Sequence, residues 1–84
     1  MSHLKRYEDA EYAAENNPCQ ATYLEAARAA LEVQSCKNAN YLRWLWADRA
    51  ASWATKAGLG EEIDFVFGHG REPVVDKLRT LLEE

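Results

Sequence analysis

Residues 38–60 read NANYLRWLWADRAASWATKAGLG and contain all three tryptophans of the chain. Leucine, alanine, arginine and tryptophan fill this stretch up to Gly58, and a run of such residues without glycine or proline favours a helix. We therefore predict a helix over about residues 40–57, with Asn38 as its N-cap and Gly58 as its C-terminal stop.

This predicted helix has two apolar faces. At 100° per residue, one narrow stripe holds Leu42, Trp46, Ala50, Trp53 and Ala57. A second face holds Trp44, Ala47 and Ala51. A helix that is apolar on most sides usually lies at the centre of its domain, so we expect Trp46 and Trp53 to be buried. Two outcomes remain open for Trp44: other helices cover it, or it stays exposed as an anchor for another protein or a second copy.

Other segments of the chain contain residues that interrupt a helical pattern. They divide the rest of the sequence into predicted helices over about residues 3–15, 18–36 and 72–82. Residues 61–67 are predicted as a short helix or an extended segment, because a brief apolar run fits either. The residues expected to face inward are Tyr7, Ala10, Ala14, Tyr23, Leu24, Ala27, Leu31, Val74 or Val75, Leu78, Leu81 and Leu82. Ala26 and Val33 fall on the opposite side of the second helix. The fold class is therefore a small single-domain all-α bundle of four to five helices over residues 1–84, with residues 40–57 as the central helix.

The charge distribution indicates which class of partner the protein is suited to bind. The net charge is −4, and residues 58–84 carry seven acidic and three basic residues. A nucleic-acid surface would show a basic excess, so this composition disfavours nucleic acid. The acidic C-terminal third is instead suited to a partner with a basic surface, although it also fits a solvated surface that aids solubility.

The two cysteines and the N-terminus indicate a compartment. Cys19 and Cys36 are predicted at opposite ends of one helix, about 25 Å apart, which is too far for a disulfide. Free thiols suit a reducing environment. Residues 1–12 lack the apolar core of a signal peptide, and no apolar run approaches the roughly 20 residues of a membrane span. We expect a cytoplasmic protein without membrane contact.

Few residues have the spacing that catalysis or metal binding requires. The histidines and cysteines form neither a CxxC nor an i, i+4 histidine pair, so no metal, cofactor or catalytic set is predicted. The run 68–71, GHGR, precedes a helix and fits a plain turn or an anion site. Asn38, Asn40, Tyr41 and Arg43 would be the base-reading residues if the chain were a helix-turn-helix DNA regulator.

In its general style the chain resembles the small acidic proteins of phages and mobile elements, including anti-CRISPR inhibitors, which share no motif that would assign roles to residues. The lack of a catalytic set, the two apolar faces of the central helix and the acidic C-terminal third predict a non-enzymatic interaction module, such as an inhibitor that occludes a larger protein's working surface. The alternative is the helix-turn-helix regulator, and a homodimer is a further option for the partner. The residues predicted to bind the partner are Trp44, Asp48, Glu72, Asp76 and Glu83.

Overall fold

The computed structural model describes residues 3–36, 40–67 and 71–82, and the side chains of residues 40, 41, 64–67, 71 and 72 lie outside this description. The described helices are α1 (His3–Asn16), α2 (Gln20–Ser35), α3 (Asn40–Ala54), α4 (Gly60–Phe67) and α5 (Arg71–Leu82). A π-helical turn, Thr55–Leu59, joins α3 to α4, and no strand occurs in these ranges. The predicted all-α bundle is confirmed, and residues 61–67 belong to a helix.

Helices α2 and α3 share the centre of the bundle. α2 packs against α1, α3 and α5, while α3 also contacts α4 and α5. The two helices bury eight alanines fully or almost fully: Ala26, Ala27, Ala29, Ala30, Ala47, Ala50, Ala51 and Ala54. Helix axes can approach closely where side chains are small. The centre is therefore narrow, and the large core residues lie around it.

Those large residues come mainly from the flanking helices. α1 buries Tyr7 and exposes Tyr12, as its periodicity predicts. α5 buries both Val74 and Val75, between which the sequence pattern did not decide. The buried set is completed by Ala10, Ala14, Leu31, Val33, Trp46, Ala57, Ile63, Leu78 and Leu82.

The two cysteines lie at opposite ends of α2, as the sequence predicts. Cys19 is the N-cap with an extended backbone (φ −156°, ψ 167°), so the helix begins two residues after the predicted start at Pro18. The hydroxyl of Thr22 accepts the backbone N–H of Cys19 at 3.2 Å and donates to the carbonyl of Asn17 at 2.8 Å. Cys36 is the C-cap, and both thiols are exposed and free. The prediction of free cysteines is confirmed.

Gly58 ends the helical run of α3 with a left-handed backbone, φ 98° and ψ 10°. We expect Gly58→Ala to lower the free energy of unfolding by about 1–2 kcal/mol, because an L-residue is strained at this φ. Nothing lies within 4 Å of the Cβ that alanine would add, so the loss would be conformational rather than steric. Urea unfolding followed by circular dichroism measures it.

Gly60→Ala is the matched control, because Gly60 already has a helical φ of −60°. Its new Cβ would lie 3.1 Å from Thr55 Cγ2, so a gain in helix propensity and a tight contact offset each other. We expect a smaller net change than at Gly58. Equal losses at the two glycines would show that Gly58 does not hold a left-handed conformation in solution.

Candidate interaction surface

A cluster of aromatic residues fixes how α3 is rotated in the bundle. The ring of Tyr7 meets the ring of Trp46 edge to face, with centroids 4.8 Å apart and an interplanar angle of 88°. The Tyr7 hydroxyl donates to Glu11 Oε2 at 2.9 Å and accepts from Trp53 Nε1 at 3.0 Å. Burial raises the pKa of Tyr7, so its hydroxyl remains a protonated donor. Tyr7 thus contacts α3 at two residues that lie about two turns apart.

Trp53 is only partly buried, so the prediction that it is buried together with Trp46 is wrong for this residue. Its ring stacks on Tyr23 at 5.9 Å, and the ammonium of Lys56 lies 4.5 Å from its ring centroid. Its N–H reaches inward to Tyr7 while the rest of the indole borders solvent. Tryptophan commonly occupies such a boundary, since it combines a large apolar body with one polar group.

With this rotation fixed, one continuous arc of α3 faces solvent. It consists of Trp44, Leu45, Asp48, Arg49 and Ser52, which we call the α3 face. Trp44 is 47% exposed and Leu45 is 43% exposed. Arg49 borders the core side of this arc, because its guanidinium carbon lies 4.5 Å from the Trp46 ring centroid.

The second apolar face predicted for this helix is divided by the structure. Ala47 and Ala51 are buried, each 2% exposed, whereas Trp44 is exposed. Ala51 points in nearly the same direction as Trp44 from two turns further along, so the direction of a side chain from the helix does not by itself determine its exposure.

The structure describes the side chains of three of the five predicted partner-binding residues. Trp44 and Asp48 lie one turn apart on the α3 face, and both are exposed. Asp76 is exposed on α5, on a different helix. The side chain of Glu72, and Glu83 as a whole, lie outside the described residues. Leu45 belongs to the surface but was missed, because it fell in neither of the two apolar stripes.

The residues invoked for DNA reading and anion binding are mostly beyond what the structure describes. Asn38, residues 68–70, and the side chains of Asn40 and Tyr41 lie outside the described part. Arg43 is partly buried, and its Nε is shielded from solvent without a hydrogen-bond partner among the described residues. Arg43 is therefore less accessible to a nucleic acid than a fully exposed arginine would be.

Acidic side chains are also exposed on α1. Glu8, Asp9 and Glu15 are exposed around Tyr12, which is 69% exposed. Lys5 pairs with Asp9 at 3.1 Å, so part of this charge is balanced locally. The acidic surface is therefore not restricted to the C-terminal third of the chain.

The described residues offer limited reactive chemistry. No three of their His, Cys, Asp and Glu side chains converge as metal ligands would. A hydrogen bond with Thr22 lowers the pKa of the exposed Cys19 thiol, but no described histidine or carboxylate hydrogen-bonds to it as a base would. None of the described helices has the length and apolar character of a membrane span.

Comparison with known proteins gives no match: no family model, curated protein or solved structure is similar to the chain.

Proposed function

We propose that the chain is a small, non-enzymatic interaction module whose α3 face docks onto another protein. The observation that carries this proposal is the adjacent pair Trp44 and Leu45, 47% and 43% exposed on a helix whose other apolar residues are mostly buried. Asp48 lies one turn from Trp44 and supplies a charge beside the apolar pair.

The energetics favour burial of Trp44 by a partner. About half of a tryptophan, roughly 100 Å², remains available to a partner, which corresponds to about 2–3 kcal/mol at the usual area coefficient. Much of the chain's own core is made of alanines, which bury little area each. Tryptophan is also among the residues that contribute most to binding at protein interfaces. Trp44 is the apolar side chain best placed to contribute that energy.

The charges define the partner's surface. The chain has a net charge of −4, and Asp48 is exposed beside Trp44. The complementary surface is an apolar pocket for the indole with basic residues at its rim. A small helical domain docked in this way acts by occlusion, as an inhibitor would. The two exposed free thiols support a reducing compartment such as the cytoplasm.

The test compares two exposed aromatic residues on different helices. Trp44→Ala should weaken partner binding by about 30-fold or more, and it should cost less free energy of unfolding than truncation of the buried Trp46. Tyr12→Ala is the matched control, because Tyr12 is 69% exposed on α1. Affinity capture with quantitative mass spectrometry identifies a protein retained by the wild type and Tyr12→Ala but lost by Trp44→Ala. Calorimetry with that protein then gives the affinities.

Different outcomes separate the alternatives. Capture that is equal for Trp44→Ala and wild type would contradict the α3 face as the docking surface. A wild type that sediments as a dimer, with Trp44→Ala as a monomer, would identify a second copy as the partner. A salt-sensitive DNA complex that Trp44→Ala leaves unchanged would favour the DNA regulator instead.

A further inference from the structure

A pocket of about 120 Å³ lies between α2 and α5, away from the α3 face. Its lining residues are Arg28, Leu31, Glu32, Ser35, Arg79 and Leu82. Leu31 and Leu82 are buried core residues and give the pocket apolar walls. The two arginines, one from each helix, are partly buried.

Arg28 is held in position by the end of α5. Its Nε donates to the carbonyl of Leu82 at 2.7 Å, and its Nη1 lies 3.9 Å from Glu25 Oε2. The hydrogen bond engages one of the five N–H groups of the guanidinium, and the ion pair is long. Arg28 therefore has N–H groups left with which to bind a ligand.

Glu32 is the acidic residue of the lining, and α1 balances its charge. Its Oε1 accepts from Nη1 of Arg6, and its Oε2 lies 3.4 Å from His3 Nδ1 without a hydrogen bond. Arg6 also donates to Glu25 at 2.8 Å, and these two carboxylates raise the pKa of Arg6. Arg6 of α1 thus engages both carboxylates of α2.

Arg79 contrasts with these residues, because it has no ion pair or hydrogen bond with any described side chain. It lies on α5 opposite Arg28 and lines the same pocket. The site therefore presents two guanidinium groups above apolar walls in a protein of net charge −4. A local basic site in an acidic protein indicates an anionic ligand.

We propose that this pocket binds a small carboxylate with a short branched apolar group. Guanidinium groups bind carboxylates with paired hydrogen bonds, and the leucines accommodate the apolar part. Inorganic phosphate is disfavoured, since it has no apolar group to contact Leu31 and Leu82. The same chemistry has an intramolecular source in the sequence, Glu83 and Glu84, which follow Leu82 and lie outside the described residues.

The test is an NMR titration of the ¹⁵N-labelled full chain with 4-methylpentanoate. The Nε–Hε signals of Arg28 and Arg79 should shift and saturate, with a dissociation constant of about 1 mM. The uncharged analogue 4-methylpentanamide and inorganic phosphate should bind at least about tenfold more weakly. The amide lacks the negative charge, and phosphate lacks the apolar group.

Two substitutions on α5 distinguish binding in the pocket from a general effect of positive charge on anion binding. Arg79→Gln should weaken binding of 4-methylpentanoate at least about tenfold. Lys77→Gln removes the same charge from the same helix but not from the pocket, so it should change the affinity less than about twofold. Equal losses in the two variants would overturn the pocket as the binding site.

A further variant distinguishes the two carboxylate sources. If Glu83 or Glu84 competes for the arginines, the double variant Glu83→Gln/Glu84→Gln should bind 4-methylpentanoate more tightly than the wild type does. Equal affinities support a free ligand as the source. The absence of a shift in both proteins up to about 20 mM would overturn the proposal. Trp44→Ala should leave the titration unchanged, so this test is separate from that of the α3 face.

Discussion

Trp46→Ala should unfold most of the protein at 25 °C. Trp46 is 5% exposed and forms an edge-to-face contact with Tyr7 of α1. Truncation of a buried tryptophan to alanine costs about 3–5 kcal/mol, and a single core in a domain of this size supplies about that much net stability. Urea unfolding monitored by circular dichroism at 222 nm gives the value.

The control is the same substitution two residues earlier. Trp44→Ala removes an identical side chain from the same helix, but at a position that is 47% exposed. Because about half of its surface is already in water, its loss should cost clearly less free energy of unfolding than that of Trp46. If both variants lost the same stability, the different burial of the two tryptophans would be contradicted. Trp46→Phe, which keeps an aromatic ring against Tyr7, should retain a cooperative transition.

The sequence predicted Trp46 correctly because burial within one helix follows its phase. The same argument correctly placed Tyr7 on α1 and Leu78 on α5. The position of a residue around a helix predicts its burial where the helix packs along one side, since the period of 3.6 residues then separates core residues from solvent-facing ones. Short connections and breaking residues predicted four to five helices, and they left residues 61–67 open between a helix and an extended segment.

Helical periodicity alone did not predict which residues of α2 are buried. Ala26 and Val33 fall opposite the predicted inward face, yet they are 0% and 2% exposed. α2 lies between α1 and α3, so it is buried on two sides. The number of neighbours that a helix acquires is a tertiary property, and the pattern of one helix does not contain it.

The α3 face and the pocket between α2 and α5 were also only partly predictable from the sequence. The sequence identified Trp44 as the deciding residue but left its exposure open, because Trp44 and the buried Ala51 point in nearly the same direction from the helix. The carboxylate pocket was not predicted at all. Arg28 and Arg79 are far apart in the sequence and belong to no local motif, and only the packing of α5 on α2 brings them together.

Leu78→Ala should cost about 2–5 kcal/mol, the second largest effect that we expect from a single substitution. Leu78 is fully buried on α5, which contacts α2, α3 and α4. The cost of a cavity depends on how far its surroundings can collapse into it. Alanines of the central helices have no side-chain rotamers with which to fill the space, so we expect the upper part of this range.

The control is Leu81→Ala on the same helix, where the side chain is only partly buried and the loss should be smaller. Hydrogen exchange then tests whether α5 is part of the cooperative unit. Leu78 belongs to the same buried cluster as Trp46, so amides in α2, α3 and α5 should lose protection together. Faster exchange confined to α5 would instead show that this helix opens separately. That result would also mean that the pocket formed with Arg28 opens without unfolding of the central pair of helices.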